Sequence, residues 1–243
     1  MKLIEVKNYD ELSRAAADMI IGEIKKKPDC VLGLATGSTP IGTYDKLIEA
    51  YKANRVSFAK VSSINLDEYV GLSQSNTESY RYFMNWHLFD HVDIDKLNTH
   101  VPNGLADDLD GECARYDALY DSIGPVDIQL LGIGVNGHIG FNEPDAKLSA
   151  ATHVVSLSDS TRRANSRNFD SLDDVPYKAI TLGMAGIMKA KKIVLLASGA
   201  AKRDAIEKTV FGGVDPYVPA SFLQLHPDVT VIYDFALAGK NMN

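Results

Sequence analysis

Residues 30–40 read Cys30-Val31-Leu32-Gly33-Leu34-Ala35-Thr36-Gly37-Ser38-Thr39-Pro40. The apolar run over 30–35 shows no polar alternation, which is the pattern of a strand buried on both faces, as in a parallel sheet. A Thr-Gly-Ser-Thr turn ends it, and Pro40 suits the first position of a helix over 40–54. On the N-terminal side, Leu12, Ala15, Ala16, Met19, Ile20 and Ile24 share one face of a helix over 9–27. Lys25, Lys26 and Lys27 close that helix with cations in its last turn, and Pro28 stops it. The same alternation continues outward. Strands are expected at 61–66, 126–131, 152–157, 178–182, 192–197 and 229–234. Helices are expected at 76–90, with Asn76 as N-cap and Ser79 in the first turn, at 105–122, at 199–210 and, shorter, at 219–224. Residues 158–176 break the pattern, being polar and charged with little apolar periodicity. The expected fold is α/β: a single doubly wound, mostly parallel, Rossmann-like sheet with helices on both faces, in one domain over 1–243. Ligands of such sheets sit beyond the carboxyl ends of the strands.

Composition narrows the partners. The chain has 243 residues, 45% of them apolar, which excludes disorder as its main state. It carries 25 Lys+Arg against 32 Asp+Glu, a net charge of -7. With no basic block beyond Lys25–Lys27, that balance argues against a nucleic-acid partner. No apolar run approaches the roughly 18–20 residues of a membrane helix, and Met1-Lys2-Leu3-Ile4-Glu5 lacks the apolar core of a signal peptide. Cys30 and Cys113 are too few for a disulfide framework, so a reducing cytoplasm is the expected location.

Four expected strands end in polar or glycine-rich turns, which a common sheet would bring together. The turn at 35–39 combines Gly37, the Ser38 and Thr39 hydroxyls and the free N–H groups of a helix start, which suits a phosphate. It is not a Walker A loop, since no Gly-Lys-Ser/Thr follows; an ordinary capped turn is the competing reading. The second turn, Leu66-Asp67-Glu68-Tyr69-Val70-Gly71, presents two acids, one of which can serve as a general base if burial lifts its pKa. The alternative is a solvated loop. The third runs Gly132-Ile133-Gly134-Val135-Asn136-Gly137-His138-Ile139-Gly140-Phe141-Asn142-Glu143-Pro144. It contains a formal G-x-G-x-x-G, yet Gly140 and Pro144 oppose the helix that a dinucleotide fingerprint requires. A loop bent around a small ligand fits better. It presents His138, which exchanges protons near neutrality, with Glu143 able to orient the imidazole; a loop histidine satisfied by its neighbours is the other reading. The fourth turn, Ala197-Ser198-Gly199-Ala200-Ala201-Lys202-Arg203, sets two cations against a helix dipole, which an anionic ligand would explain. No serine-hydrolase elbow and no zinc helix is present: His87 and His91 lack the intervening Glu of the metal motif.

These strings, together with Thr161-Arg162-Arg163-Ala164-Asn165-Ser166-Arg167 and Leu223-Gln224-Leu225-His226-Pro227, resemble the glucosamine-6-phosphate deaminase family over about residues 1–235. The resemblance implies conversion of glucosamine 6-phosphate and water to fructose 6-phosphate and ammonia, with no metal and no organic cofactor. It implies Asp67 as the base moving a proton between C2 and C1, and His138 with Glu143 as the group that opens the sugar ring. Asn136 stands where some members have Asp. An amide at that place can still position a ring N–H, but it adds no charge. Phosphate would be held by Thr36, Gly37, Ser38, Thr39, Arg167 and Lys202, with residues 158–176 as a mobile lid delivering Arg167. The implied partner is a small sugar phosphate.

Larger hexameric relatives bind an activator through serine and basic side chains, where this chain has Ala146, His153 and Val155. A monomer or small homo-oligomer without that activation is therefore expected, not a hexamer. The lactonases that look similar in fold have Asp-Glu-Arg where this chain has Asp67-Glu68-Tyr69, and Ser-Leu-Phe-Pro where it has Phe141-Asn142-Glu143-Pro144. A sensor that lost catalysis would be expected to lack Asp67 or His138, and both are present.

Overall fold

A computed structural model describes residues 1–157, 161–163, 169 and 171–235. Among them, a parallel sheet contains β1 (Lys2–Glu5), β2 (Val31–Leu34), β3 (Ser62–Asn65), β5 (Thr99–His100), β6 (Ile128–Gly132), β9 (Ile193–Ala197) and β10 (Val229–Tyr233), in the order β1-β10-β9-β6-β2-β3-β5. The apolar runs become the central strands because both faces are covered. Along β9, Ile193, Leu195 and Ala197 enter one core while Val194 and Leu196 enter the other. Each fully buried aliphatic side chain contributes about 1.5–3 kcal/mol, so this double-sided burial favours the interior of the sheet.

One face is covered by α1 (Tyr9–Lys26), α2 (Ser38–Lys52) and α3 (Tyr80–His87), through residues such as Leu12, Ile20, Leu47 and Met84. The other is covered by α4 (Leu109–Ile123), α5 (Met184–Met188) and α6 (Arg203–Phe211), through Tyr116, Ile187 and Ile206. Asn8 caps α1 by accepting from the Glu11 N–H, and Lys25 and Lys26 lie in its last turn. The strand order reverses between β2 and β6: from β2 the chain proceeds to β3 and β5, and from β6 to β9 and β10. That switch point opens a crevice beyond the carboxyl ends of the two strands.

The doubly wound sheet matches expectation; the placement of three segments does not. The strands expected at 152–157 and 178–182 are not in it. They form β7 (His153–Ser156) and β8 (Lys178–Thr181) of a separate antiparallel sheet, completed by β4 (Asp67–Tyr69), where a turn is expected. Its strand order is β4-β8-β7. Short apolar runs do not reveal which sheet they join, since burial on a small sheet and in a large one leaves the same residue pattern. The second turn therefore belongs to a different sheet from the other three, although β3 delivers it directly.

Helix ends moved for identifiable reasons. Ser79, not Asn76, caps α3 by accepting from the Tyr82 N–H at 3.1 Å. Asn76 instead makes a local turn, accepting from Glu78 N–H at 2.8 Å. Pro40 occupies the third rather than the first position of α2. Cys30 and Cys113 are buried and unpaired, and burial pushes the Cys30 thiol up to about 12, the mark of an inert packed thiol. Among the described residues no helix is long and apolar enough to cross a membrane.

Candidate active site

The turn after β2 is held from two sides. Gly37 has φ +96°, a conformation in which a Cβ would be strained, and Ser38 and Thr39 form the first turn of α2. The Tyr9 hydroxyl lies 3.0 Å from both the Ser38 and Thr39 carbonyls and accepts from the Gly42 N–H at 2.8 Å. The buried Tyr44 hydroxyl donates to the Ala35 carbonyl. The first N–H groups of a helix have no intrahelical acceptor, so this braced turn presents free donors and the positive end of α2 at the crevice.

The two acids after β3 take opposite fates. Glu68 is 2% exposed and accepts from the Tyr69, Tyr80 and Arg81 N–H groups at 2.8, 2.9 and 2.9 Å. Burial raises its pKa against those three donors. Its work is structural: it ties β4 to the start of α3. Asp67 is 6% exposed and faces the crevice. Burial, with the neighbouring Glu68 charge adding to it, pushes the Asp67 carboxyl up to about 8. A carboxyl near neutrality with no cation beside it among the described residues is suited to removing a proton from carbon.

The glycine loop after β6 has no helix, in agreement with rejection of the dinucleotide fingerprint. Gly134 N–H donates to the His138 carbonyl at 2.9 Å, closing the loop on itself. A Cβ on Gly134 would lie 2.3 Å from the His138 ring, so this glycine exists to make room for the imidazole. Gly140, at φ +58°, carries the chain over Asp67: a Cβ there would stand 3.4 Å from Asp67 Oδ2. His138 Nδ1 lies 3.3 Å from Glu143 Oε1. At that distance Nδ1 has no hydrogen-bond partner among the described residues, and such pairs commonly tighten when a ligand binds. Burial alone would raise the Glu143 carboxyl. Contacts from His138, Asn136 and Thr161 outweigh it and hold the group down at about 2. Asn136 does not position the ring as expected: its Nδ2 donates to Glu143 Oε2 at 2.8 Å and its Oδ1 accepts from the His138 backbone N–H at 3.2 Å.

A cavity of about 360 Å³ is lined by Thr36, Gly37, Ser38, Thr39, Asp67, Asn136, His138 and Lys202. Glu143 stands behind His138. Of the two cations in the fourth turn, Lys202 reaches the cavity, while Arg203 sits 5.8 Å above the Phe235 ring. Lys202 ends a short 3₁₀ turn that precedes α6. Arg167 lies outside the described residues. Among those described, no group of three or more His, Cys, Asp or Glu side chains is arranged as metal ligands would be.

The model of the family described as glucosamine-6-phosphate isomerases/6-phosphogluconolactonase matches residues 7–232. The chain belongs to that family. Within this isomerase/lactonase family, a glucosamine-6-phosphate deaminase of Lachnoclostridium phytofermentans is 56% identical over 97% of this chain and 100% of its own. One of Geobacillus sp. is 56% identical over 96% and 93%. Among solved structures, a monomeric glucosamine-6-phosphate deaminase superposes with a TM-score of 0.94 at 50% identity, covering 96% of this chain and 97% of its own. A 6-phosphogluconolactonase from Trypanosoma cruzi, at 20% identity and TM-score 0.79, covers 100% and 97% and shares the family fold. Two cavity residues carry no role in the reading of the sequence. Tyr80 lines the wall, its ring stacked on Phe141 at 6.0 Å and 6°. In the sequence it is one more aromatic at helical spacing. Thr161 also lines the cavity; it opens a string that carries the family resemblance, which implies a role for Arg167 but none for Thr161.

Proposed function

We propose that the chain deaminates glucosamine 6-phosphate, yielding fructose 6-phosphate and ammonia. The observation that carries this reading is the meeting, in one cavity, of a buried carboxyl poised near neutrality, a histidine–glutamate pair and an anion-binding turn with a lysine. The deaminases at 56% identity over nearly the whole chain support it.

The roles follow from the chemistry each group can do. The α2 start and Lys202 hold the phosphate; Arg167 is expected to join them. His138 passes a proton between O1 and O5 so that the ring opens, and Glu143 balances the charge the imidazole gains. Asp67 removes the proton from C2 and returns it to C1. The amine-bearing enol thus becomes a ketimine, and water adds to C2 as ammonia leaves. Every proton is supplied by Asp67, His138 or water, and no electron leaves the substrate. The reading extends to a monomer working as one unit in the cytoplasm. The 50% identical monomeric deaminase and the inert cysteines support that extension.

The test is ammonia release from glucosamine 6-phosphate. Turnover is expected with the phosphorylated sugar, and unphosphorylated glucosamine is expected to react far less well. Lys202→Ala is expected to raise KM and lower kcat/KM about 10- to 100-fold, the effect of losing a charged hydrogen bond. No turnover by the wild-type chain would sink the assignment. An unchanged KM in Lys202→Ala would move the phosphate elsewhere.

A further inference from the structure

The Thr161 hydroxyl donates to Glu143 Oε1 over 2.9 Å. That is the same oxygen that faces His138 Nδ1 at 3.3 Å, while Asn136 holds Oε2 at 2.8 Å. A carboxylate gripped at both oxygens cannot turn about its terminal torsion, which is otherwise broad and soft. The direction in which Oε1 points fixes where the imidazole finds its acceptor. With an amide at 136, Glu143 is the carboxylate left to orient the ring among the described residues.

Thr161 is itself anchored. Its neighbour Arg162 is 5% exposed. The Arg162 guanidinium donates to the Val175 carbonyl from Nε at 3.2 Å and from Nη2 at 3.0 Å, and to the Leu172 carbonyl from Nη2 at 2.7 Å. It also lies 3.8 Å over the Tyr177 ring. These contacts pin the Thr161 backbone to the stretch leading into β8, so its hydroxyl meets Glu143 from a fixed base.

We propose that Thr161 is a positioning residue: it sets the Glu143 carboxylate, and through it the orientation of the His138 ring, with Arg162 as its anchor. Its kinetic consequence rests on the function proposed above, whereas its effect on the ring does not.

The experiment is nitrogen NMR of the full chain labelled in histidine, with the His138 signal assigned by its loss in His138→Asn. Thr161→Val is expected to move the His138 ring-nitrogen signals and leave those of the other histidines in place. Thr161→Ala, which removes the same hydroxyl with less bulk, is expected to do the same. Thr161→Ser is expected to restore the wild-type signals. In turnover of glucosamine 6-phosphate, kcat of Thr161→Val should fall about tenfold, with KM changed much less, as loss of one charge-assisted hydrogen bond predicts. Unmoved His138 signals in the Val and Ala variants would overturn the proposal, whatever the activity. A wild-type chain that releases no ammonia would overturn the functional reading instead, and the NMR comparison would still decide the role of Thr161.

Discussion

Asp67→Asn is expected to abolish ammonia release and, at the same time, to make the protein harder to unfold. Loss of a general base lowers turnover about 10²- to 10⁴-fold. The stability gain follows from linkage. The folded carboxyl titrates at about 8, against an ordinary 3.8. The folded state therefore holds the proton more tightly than the unfolded chain. The stability this confers is fully present below the ordinary value and is lost as pH rises toward 8. Asparagine fills the same space with nothing to ionise, so it escapes a cost whose ceiling is about 6 kcal/mol above pH 8. The melting-temperature gap between variant and wild type should widen from pH 4 to pH 8 and then level off. A constant gap across that range would mean that Asp67 is not strained by its burial. The same carboxyl should appear as an ascending limb near pH 8 in kcat/KM, and at lower pH in kcat, because the substrate ammonium beside it favours the charged form.

Gly134→Ala is expected to reduce kcat/KM about 10²-fold or more while the fold survives. The added Cβ would stand 2.3 Å from Cε1 and Nδ1 of His138, so the ring must leave its place, and displacements of about 1 Å cost this much in a positioned site. Overpacking of this kind destabilises by about 1–3 kcal/mol. Gly132→Ala is the comparison: a Cβ at Gly132 meets no protein atom within 4 Å but borders the cavity, so it should leave the His138 ring in place and lower kcat/KM less than Gly134→Ala does. If Gly132→Ala proved the more damaging, the loop would be serving a ligand backbone rather than a histidine ring.

The two glycines also show what the sequence could and could not convey. Gly132, Gly134 and Gly137 satisfy a dinucleotide pattern by spacing, and only the missing helix betrayed it. The reason for Gly134 lies in a ring four residues along that folds back on it, a contact that spacing alone does not encode. The central strands were legible because burial on two faces leaves unbroken apolar runs. β1 and β5 were not: β1 is a half-exposed edge, and β5 is two residues long. Asp67 was recognisable as a candidate, but its strand was not. The three residues Asp67–Tyr69 form a strand through pairing with Lys178–Thr181, more than a hundred residues away. Asn136 lines the cavity and touches Glu143 rather than the His138 ring, and nothing in the order of residues distinguishes an amide that touches the ring from one that touches the acid behind it.

The small antiparallel sheet has a consequence for how this scaffold can diversify. β7 and β8 are paired from His153↔Thr181 to Ser156↔Lys178, and the Leu157 N–H donates to the Tyr177 carbonyl at 2.9 Å, so residues 157 and 177 stand side by side whatever joins them. On the far side of β8, β4 carries Asp67. The ends of the intervening stretch are thus held together by strand pairing, and lengthening a closed segment costs only about 0.6 kcal/mol per doubling. The register of Asp67 on β4 is therefore independent of the length of chain between the two anchors. Variation there leaves the cavity intact only where it spares Thr161 and Arg162, whose contacts reach Glu143 and the approach to β8.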